Sequence, residues 1–129
     1  MNRLSQVLTL AVGIAIPLLS QSKFQTDTLP SPEGNVVITF LGHGSLMFAY
    51  HGKNLYVDPV SQYADFSKMP KADIILVTHE HGDHLDSLAI AKAKTKTTTI
   101  LLTAACAPKV PGSVEMKNGE SRVIGDISI

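Results

Sequence analysis

The chain has a single cysteine, no tryptophan and no net charge, and each shortage removes a class of function. Cys106 has no partner, so an internal disulfide is impossible and a cysteine-based zinc finger is excluded. Eleven basic residues balance eleven acidic ones, which removes any whole-chain electrostatic case for nucleic acid or an anionic membrane surface. Aromatic residues make up only 5% of the chain. The lysines and threonines of residues 92–99 therefore have no interleaved rings on which bases would stack, and they read as a solvated helix end and loop. What is present is a folding composition: 44% hydrophobic and 17% charged over 129 residues, enough for one domain.

Residues 1–22 read as a signal peptide. Arg3 supplies a positive start, Leu4 to Ser22 carries no charge, and Leu8 to Leu19 is apolar except for Thr9. Pro17 breaks the helix late, and Ser20-Gln21-Ser22 offers a small-x-small cleavage site. An uncleaved anchor is the competing reading, since 19 uncharged residues nearly span a bilayer. The short apolar core favours cleavage, hence an exported, periplasmic or secreted protein with no stable membrane anchor. No cysteine follows the leader to carry a lipid.

Residues 23–34 read as a polar linker, a poor helix or strand because of Pro30, Pro32 and Gly34. From residue 35 to 129 the texture is that of one domain of short β runs. Strands are expected at Val36–Leu41, Ser45–Tyr50, Leu55–Val57, Asp73–Val77 and Thr99–Thr103, with shorter ones at Ser113–Met116, Ser121–Ile124 and Ile127–Ile129. Residues 51–54 look like a hairpin turn that leaves His51 solvated. Ile74-Ile75-Leu76-Val77 is apolar without alternation, the mark of a strand buried on both faces. One helix is expected from Ser87 to about Lys94, capped by Asp86. Cys106 reads as a small buried thiol.

The chemistry concentrates between the strand at Asp73–Val77 and the helix. Three of the five histidines lie within six residues, in the order His79-x-His81-x-Asp83-His84. Imidazole nitrogen and carboxylate oxygen are ligands that zinc accepts. Two histidines at i and i+2 on extended backbone point the same way and can grip one ion. Gly82 is expected to permit a sharp turn that aims Asp83 and His84 at a second ion nearby. Two such ions polarise a substrate oxygen together. A loop of merely solvated histidines is disfavoured, because a buried strand enters the cluster and a helix leaves it.

Thr78-His79-Glu80-His81-Gly82-Asp83-His84-Leu85-Asp86 resembles the metal-binding signature of the metallo-β-lactamase superfamily. Phe40-Leu41-Gly42-His43-Gly44-Ser45, Tyr56-Val57-Asp58-Pro59 and Lys71 to Val77 are similar to the branch of metal-dependent hydrolases that includes ascorbate-6-phosphate lactonase-like proteins. The resemblance implies an α+β fold, the N-terminal half of a four-layer αββα sandwich with the metals at one edge of the sheets. It implies His79 and His81 as ligands of a first metal, and Asp83 and His84 as ligands of a second. Zinc is the default, with manganese or iron as alternatives. Asp58 matches an aspartate that supports the metal loop from beneath, although an Asp-Pro turn explains it equally well. His43 matches a Gly-His element and either lines the pocket or satisfies its own hydrogen bonds.

The resemblance also implies ligands further along: a third histidine, a bridging aspartate and a last histidine. No histidine follows His84, and the later carboxylates are Asp86, Glu115, Glu120 and Asp126. The expected function is therefore a metal-dependent hydrolase in which a metal-activated water, oriented by Asp83, attacks a small-molecule lactone, ester or phosphoester. This stretch of chain is expected to be weakly active or inactive by itself. The alternative is a secreted, non-enzymatic metal-binding module with a degenerate site.

Overall fold

A computed structural model describes residues 23–129, and the expected signal peptide lies outside the described residues. Four strands, β1 (Gln25–Leu29), β2 (Val36–Gly42), β3 (Ser45–Tyr50) and β4 (Lys53–Val57), form an antiparallel meander. Beyond β4 the sheet turns parallel, adding β5 (Ile74–Val77), β6 (Thr99–Leu102) and β7 (Val114–Glu115) in chain order. Parallel neighbours need a crossover. A long loop makes the one from β4 to β5, and helix α1 (Ser87–Ala93) makes the one from β5 to β6. A 3₁₀ turn at Ala107–Lys109 precedes β7. The fold is α+β, with short mixed strands and one clear α-helix among the described residues.

The helix begins where expected. Asp86 has extended backbone, and its carboxylate accepts the amides of Leu88 at 2.8 Å and Ala89 at 3.0 Å. Burial pushes that carboxyl up, but hydrogen bonds from the Ser61, Ala89 and Leu88 amides outweigh it and the net shift is downward. Ala89, Ile90 and Ala93 turn inward and pack against the sheet face that carries Tyr56, Ile75, Val77, Ile100 and Leu102. Phe66, from the β4–β5 loop, meets Tyr56 edge-on with ring centroids 5.5 Å apart. The Tyr56 hydroxyl donates to the Pro70 carbonyl at 2.8 Å, and burial pushes its pKa up to about 12. Cys106 is a buried thiol in the same core, as expected.

The other sheet face has a different cover. The hairpin of β8 (Val123–Ile124) and β9 (Ile127–Ser128) lies there, Ile127 lining one cleft with Val36, Phe48 and Leu55, and Ile124 another with Ile74 and Thr99. Ile74 and Ile75, on opposite faces, are 2% and 0% exposed, so β5 is buried on both sides as its sequence predicts. Further out on the sheet, Phe40 and Leu29 stay exposed.

Two local expectations need correction. Residues 23–34 are not a poor strand throughout: Gln25–Leu29 pairs with Val36–Phe40 along its full length. Its side chains are all exposed, so no apolar pattern marked it. His51 lies in its turn and is exposed, but it is not simply solvated. Its Nε2 meets the Glu33 carbonyl, its Nδ1 lies 3.2 Å from Asp126 between β8 and β9, and its ring stacks on Tyr50 at 3.9 Å. The Glu33 carbonyl first, then the Asp126 carboxylate, raises its pKa.

Candidate metal centre

The parallel pairing of β4 and β5 brings their C-terminal ends to one edge of the sheet, and the β2–β3 turn reaches the same edge because Leu46 pairs with Val57. Three segments therefore converge: Gly42 to Ser45, Asp58, and the loop from Thr78 to Asp86. This is where a sheet leaves polar groups free to act.

Asp58 holds the three together. It is 2% exposed and has left-handed backbone, φ 44°, which aspartate tolerates better than most residues. Its amide donates to the Leu76 carbonyl at 2.9 Å, and its own carbonyl accepts the Ser45 hydroxyl. Its carboxylate accepts the Thr78 amide and the Thr78 hydroxyl, both at 2.7 Å. The same carboxylate takes Nδ1 of His84 at 2.8 Å. A charge so deeply placed is tolerable because every approach is hydrogen-bonded. Of the two readings open from sequence, support for the loop from beneath is what the geometry shows, and the turn is how the chain delivers it.

His84 is consequently fixed. With Nδ1 committed to Asp58, Nε2 faces Asp83, 3.8 Å from its Oδ2. Gly44 lets the β2–β3 turn press close, since a Cβ there would come within 2.9 Å of His84 Cε1. Gly82, by contrast, does not need to be glycine: it has no left-handed φ, and a Cβ would meet open space. The sharp turn expected of Gly82 is made instead by amides of His84 and Leu85, which donate to the His81 carbonyl at 3.0 and 2.8 Å.

Asp83 is exposed, and its carboxyl sits below the usual range, first through its own backbone amide and then through His84 and His43. His43 Nε2 lies 3.0 Å from Asp83 Oδ2. His79 and His81 come together, rings 4.7 Å apart, and His79 also lies against His84 at 4.0 Å. Nδ1 of His79 is 3.0 Å from the Thr78 hydroxyl. All four residues named from the sequence thus meet at one edge. Among the described residues His43, Asp83 and His84 each offer a ligand atom, all within 4.8 Å of one another, a grouping that contains the expected Asp83–His84 pair and adds His43. Sequence reasoning left His43 undecided. The signal for it was a histidine between two glycines at a strand break.

The residues fit a divalent ion. Nitrogen and carboxylate oxygen donors converge, and His84 has the carboxylate-backed imidazole that metal ligands need. Imidazole donors suit zinc or iron, and a carboxylate oxygen also suits manganese.

A family model for a beta-lactamase superfamily domain matches residues 37–127. A metal-dependent hydrolase of Flavobacterium johnsoniae is 47% identical over 62 residues, 43% of this chain and 27% of its own. One from a Geobacillus species is 38% identical over 60 residues, 43% of this chain and 26% of its own. Among solved structures, an inferred metal-dependent hydrolase from Parabacteroides distasonis superposes with a TM-score of 0.74 at 45% identity, over 77% of this chain and 46% of that one. CmlA, a diiron β-hydroxylase of Streptomyces venezuelae, superposes with a TM-score of 0.53 at 22% identity, over 75% of this chain and 23% of that one, and shows the fold alone. The matched stretch spans about a quarter of the curated relatives' length and under half of the solved one. The signature around His79 to His84, the family model and the superposition agree, and the chain belongs to the beta-lactamase superfamily, with a domain of the metallo-β-lactamase kind.

Proposed function

We propose that this chain carries the principal metal-binding segment of a hydrolase that cleaves a small-molecule lactone, ester or phosphoester, nearest in kind to the ascorbate-6-phosphate lactonase-like branch. The observation that supports it most is the Asp58–His84 pair, which aims one imidazole nitrogen at the edge where Asp83, His79 and His81 gather. On this reading His79 and His81 hold one ion and Asp83 and His84 a second, with zinc the first choice. A bound divalent ion lowers the pKa of a coordinated water and polarises the substrate oxygen. Asp58 keeps His84 in one tautomer and orientation. Asp83, with its carboxyl held below the usual range, is an anion throughout neutral pH and orients the attacking water.

The reading extends to two features of the whole protein. The further ligands and the second sheet that the resemblance implies would come from the part of the longer relatives that this chain does not match. The chain alone is accordingly expected to turn over little substrate. Residues 1–22 direct export. A non-enzymatic metal-binding module is the second reading, supported for this stretch alone by a grouping within 4.8 Å that, among the described residues, holds three ligands.

Metal analysis tests the assignment. Replacing His79 and His81 together by alanine is expected to remove at least one equivalent of zinc from the protein. Unchanged content in that double variant overturns the ligand assignment. Hydrolysis of lactone, ester and phosphodiester model substrates, abolished by His84→Ala, distinguishes enzyme from binding module. For export, mature protein from the periplasm or medium is expected to begin near Lys23, and an intact Met1 start in the cytosol refutes it.

A further inference from the structure

His43 was not one of the ligands expected from sequence, yet the structure builds it into the site. Its backbone is left-handed, φ 50°, a strained state for a residue with a Cβ and one that concentrates at functional sites. It sits between two glycines that both need to be glycine. A Cβ on Gly42 would come within 3.0 Å of the Tyr63 ring, and one on Gly44 within 2.9 Å of His84. The turn is therefore pressed between Tyr63 and His84. The His43 ring stacks on Tyr63 at 6.0 Å and meets His84 edge-on at 5.1 Å.

Two roles are open to a histidine so placed: ligand of the ion, or donor to a ligand. Distances decide between them. Two donors on one tetrahedral zinc, with bonds of about 2.0–2.1 Å, lie about 3.3 Å apart or more. His84 Nε2 and Asp83 Oδ2, 3.8 Å apart, are too far for a hydrogen bond and have room for an ion between them. His43 Nε2 and Asp83 Oδ2, 3.0 Å apart, are at ordinary N–H···O length. We propose that His43 is a positioning residue that donates its Nε2 proton to Asp83 Oδ2 and so fixes the carboxylate for the ion it shares with His84. The proposal rests on the reading of Asp83 and His84 as ligands. Asp83 is exposed and has no buried carboxylate-holding pair like that between Asp58 and Thr78, so a positioning contact matters more for it.

The test uses the full chain and cobalt(II). His43→Ala is expected to bind cobalt about 10- to 100-fold more weakly, the usual cost of losing a hydrogen bond to a metal ligand. Stoichiometry and the ligand-field spectrum should stay those of the parent protein. His43→Gln, which keeps an N–H donor, is expected to recover most of the affinity. Imidazole nitrogen shifts in the zinc-loaded protein provide a readout that needs no variant: Nε2 of His43 should carry its proton. Unchanged affinity in His43→Ala overturns the proposal. So does a deprotonated, metal-bound Nε2, or a changed cobalt spectrum that glutamine fails to restore, either of which makes His43 a ligand. If the parent protein takes up no cobalt, or His84→Ala leaves uptake unaltered, the metal reading itself fails, and this proposal with it.

Discussion

The two sides of the metal edge are built differently. Asp83 and His84 are held from three elements: Asp58 at the end of β4, the β2–β3 turn through His43 and Gly44, and their own loop. His79 and His81 belong to that loop alone, and the hydrogen bond found for their rings is the contact of His79 with the adjacent Thr78 hydroxyl. His84 is only 17% exposed at its side chain, whereas His81 is among the exposed residues. One side of the edge is thus organised by hydrogen bonds of the protein's own. The other is brought together in space with little to fix its rings. A site that bound an ion and admitted a substrate, as proposed above, would use both conditions, rigidity where charge is held and latitude where ligands are exchanged.

Removing Asp58 attacks the organised side most directly. Asp58→Ala removes the buried partner of the Thr78 amide, the Thr78 hydroxyl and His84 Nδ1, and each of these groups left unsatisfied out of reach of water costs about 1–3 kcal/mol. A loss of about 3 kcal/mol or more in denaturant unfolding is expected, with weaker metal binding. If stability and affinity both hold, the anchored side is not anchored by this residue.

Gly44→Ala is a subtler attack on the same side. The new methyl would press on His84 Cε1, so either the ring or the turn must move. A cost of about 1–3 kcal/mol is expected, as for other overpacked sites. Gly82→Ala is the control, with space for its methyl and no left-handed φ to strain. Equal effects at the two glycines would erase the distinction between them.

A smaller effect, confined to a pH window, is expected where the β3–β4 turn meets the β8–β9 hairpin. Folding raises the His51 pKa, so the stabilisation from its contacts is complete below the unfolded value of about 6.5 and is lost as pH rises through the folded value. Asp126 is shifted down, chiefly by His51, so its share is lost instead as pH falls through its own folded value in the acid range. The stability difference between the parent protein and His51→Ala should therefore be greatest in mildly acid solution and shrink towards pH 8. A difference that grows with pH would contradict this linkage.

The smallest change in stability belongs to the loosely held side. His81→Ala is expected to shift unfolding by no more than about 0.5 kcal/mol, as for other exposed positions, while still lowering metal content. A large destabilisation would mean that His81 is also a structural member and that the two sides are less different than they look.

Much of this architecture was legible in the chain because its signals are local. Ser45–Tyr50 and the Asp86-capped helix carry their own patterns, and the structure places both where those patterns put them. The apolar run at Ile74 announced burial on two faces. β1 was not legible, because Gln25 to Leu29 becomes a strand only by pairing with β2. β4 starts at Lys53, earlier than expected, for a similar reason: Lys53 and Asn54 pair with Tyr50 and Ala49. At the site, the ligand types and their spacing could be read directly. The place of His43 could not, since it depends on how closely the Gly42–Gly44 turn approaches a loop forty residues further along. Gly82 misled, because a glycine inside a motif suggests a turn that the backbone here makes without it.

The change from antiparallel to parallel pairing at β4 also bears on the order in which the chain assembles. Partners within the β1–β4 meander are close in sequence, and the loops that must close between them are short. Joining β5 to β4, and β6 to β5, waits on a sixteen-residue loop and on a helical crossover. Contacts of greater separation form more slowly. The metal edge depends on the later pairing, since Asp58 and Thr78 meet only when β4 and β5 lie side by side. A nascent chain is therefore expected to hold a formed meander before the parallel half docks and completes the edge that Asp58 and Thr78 join.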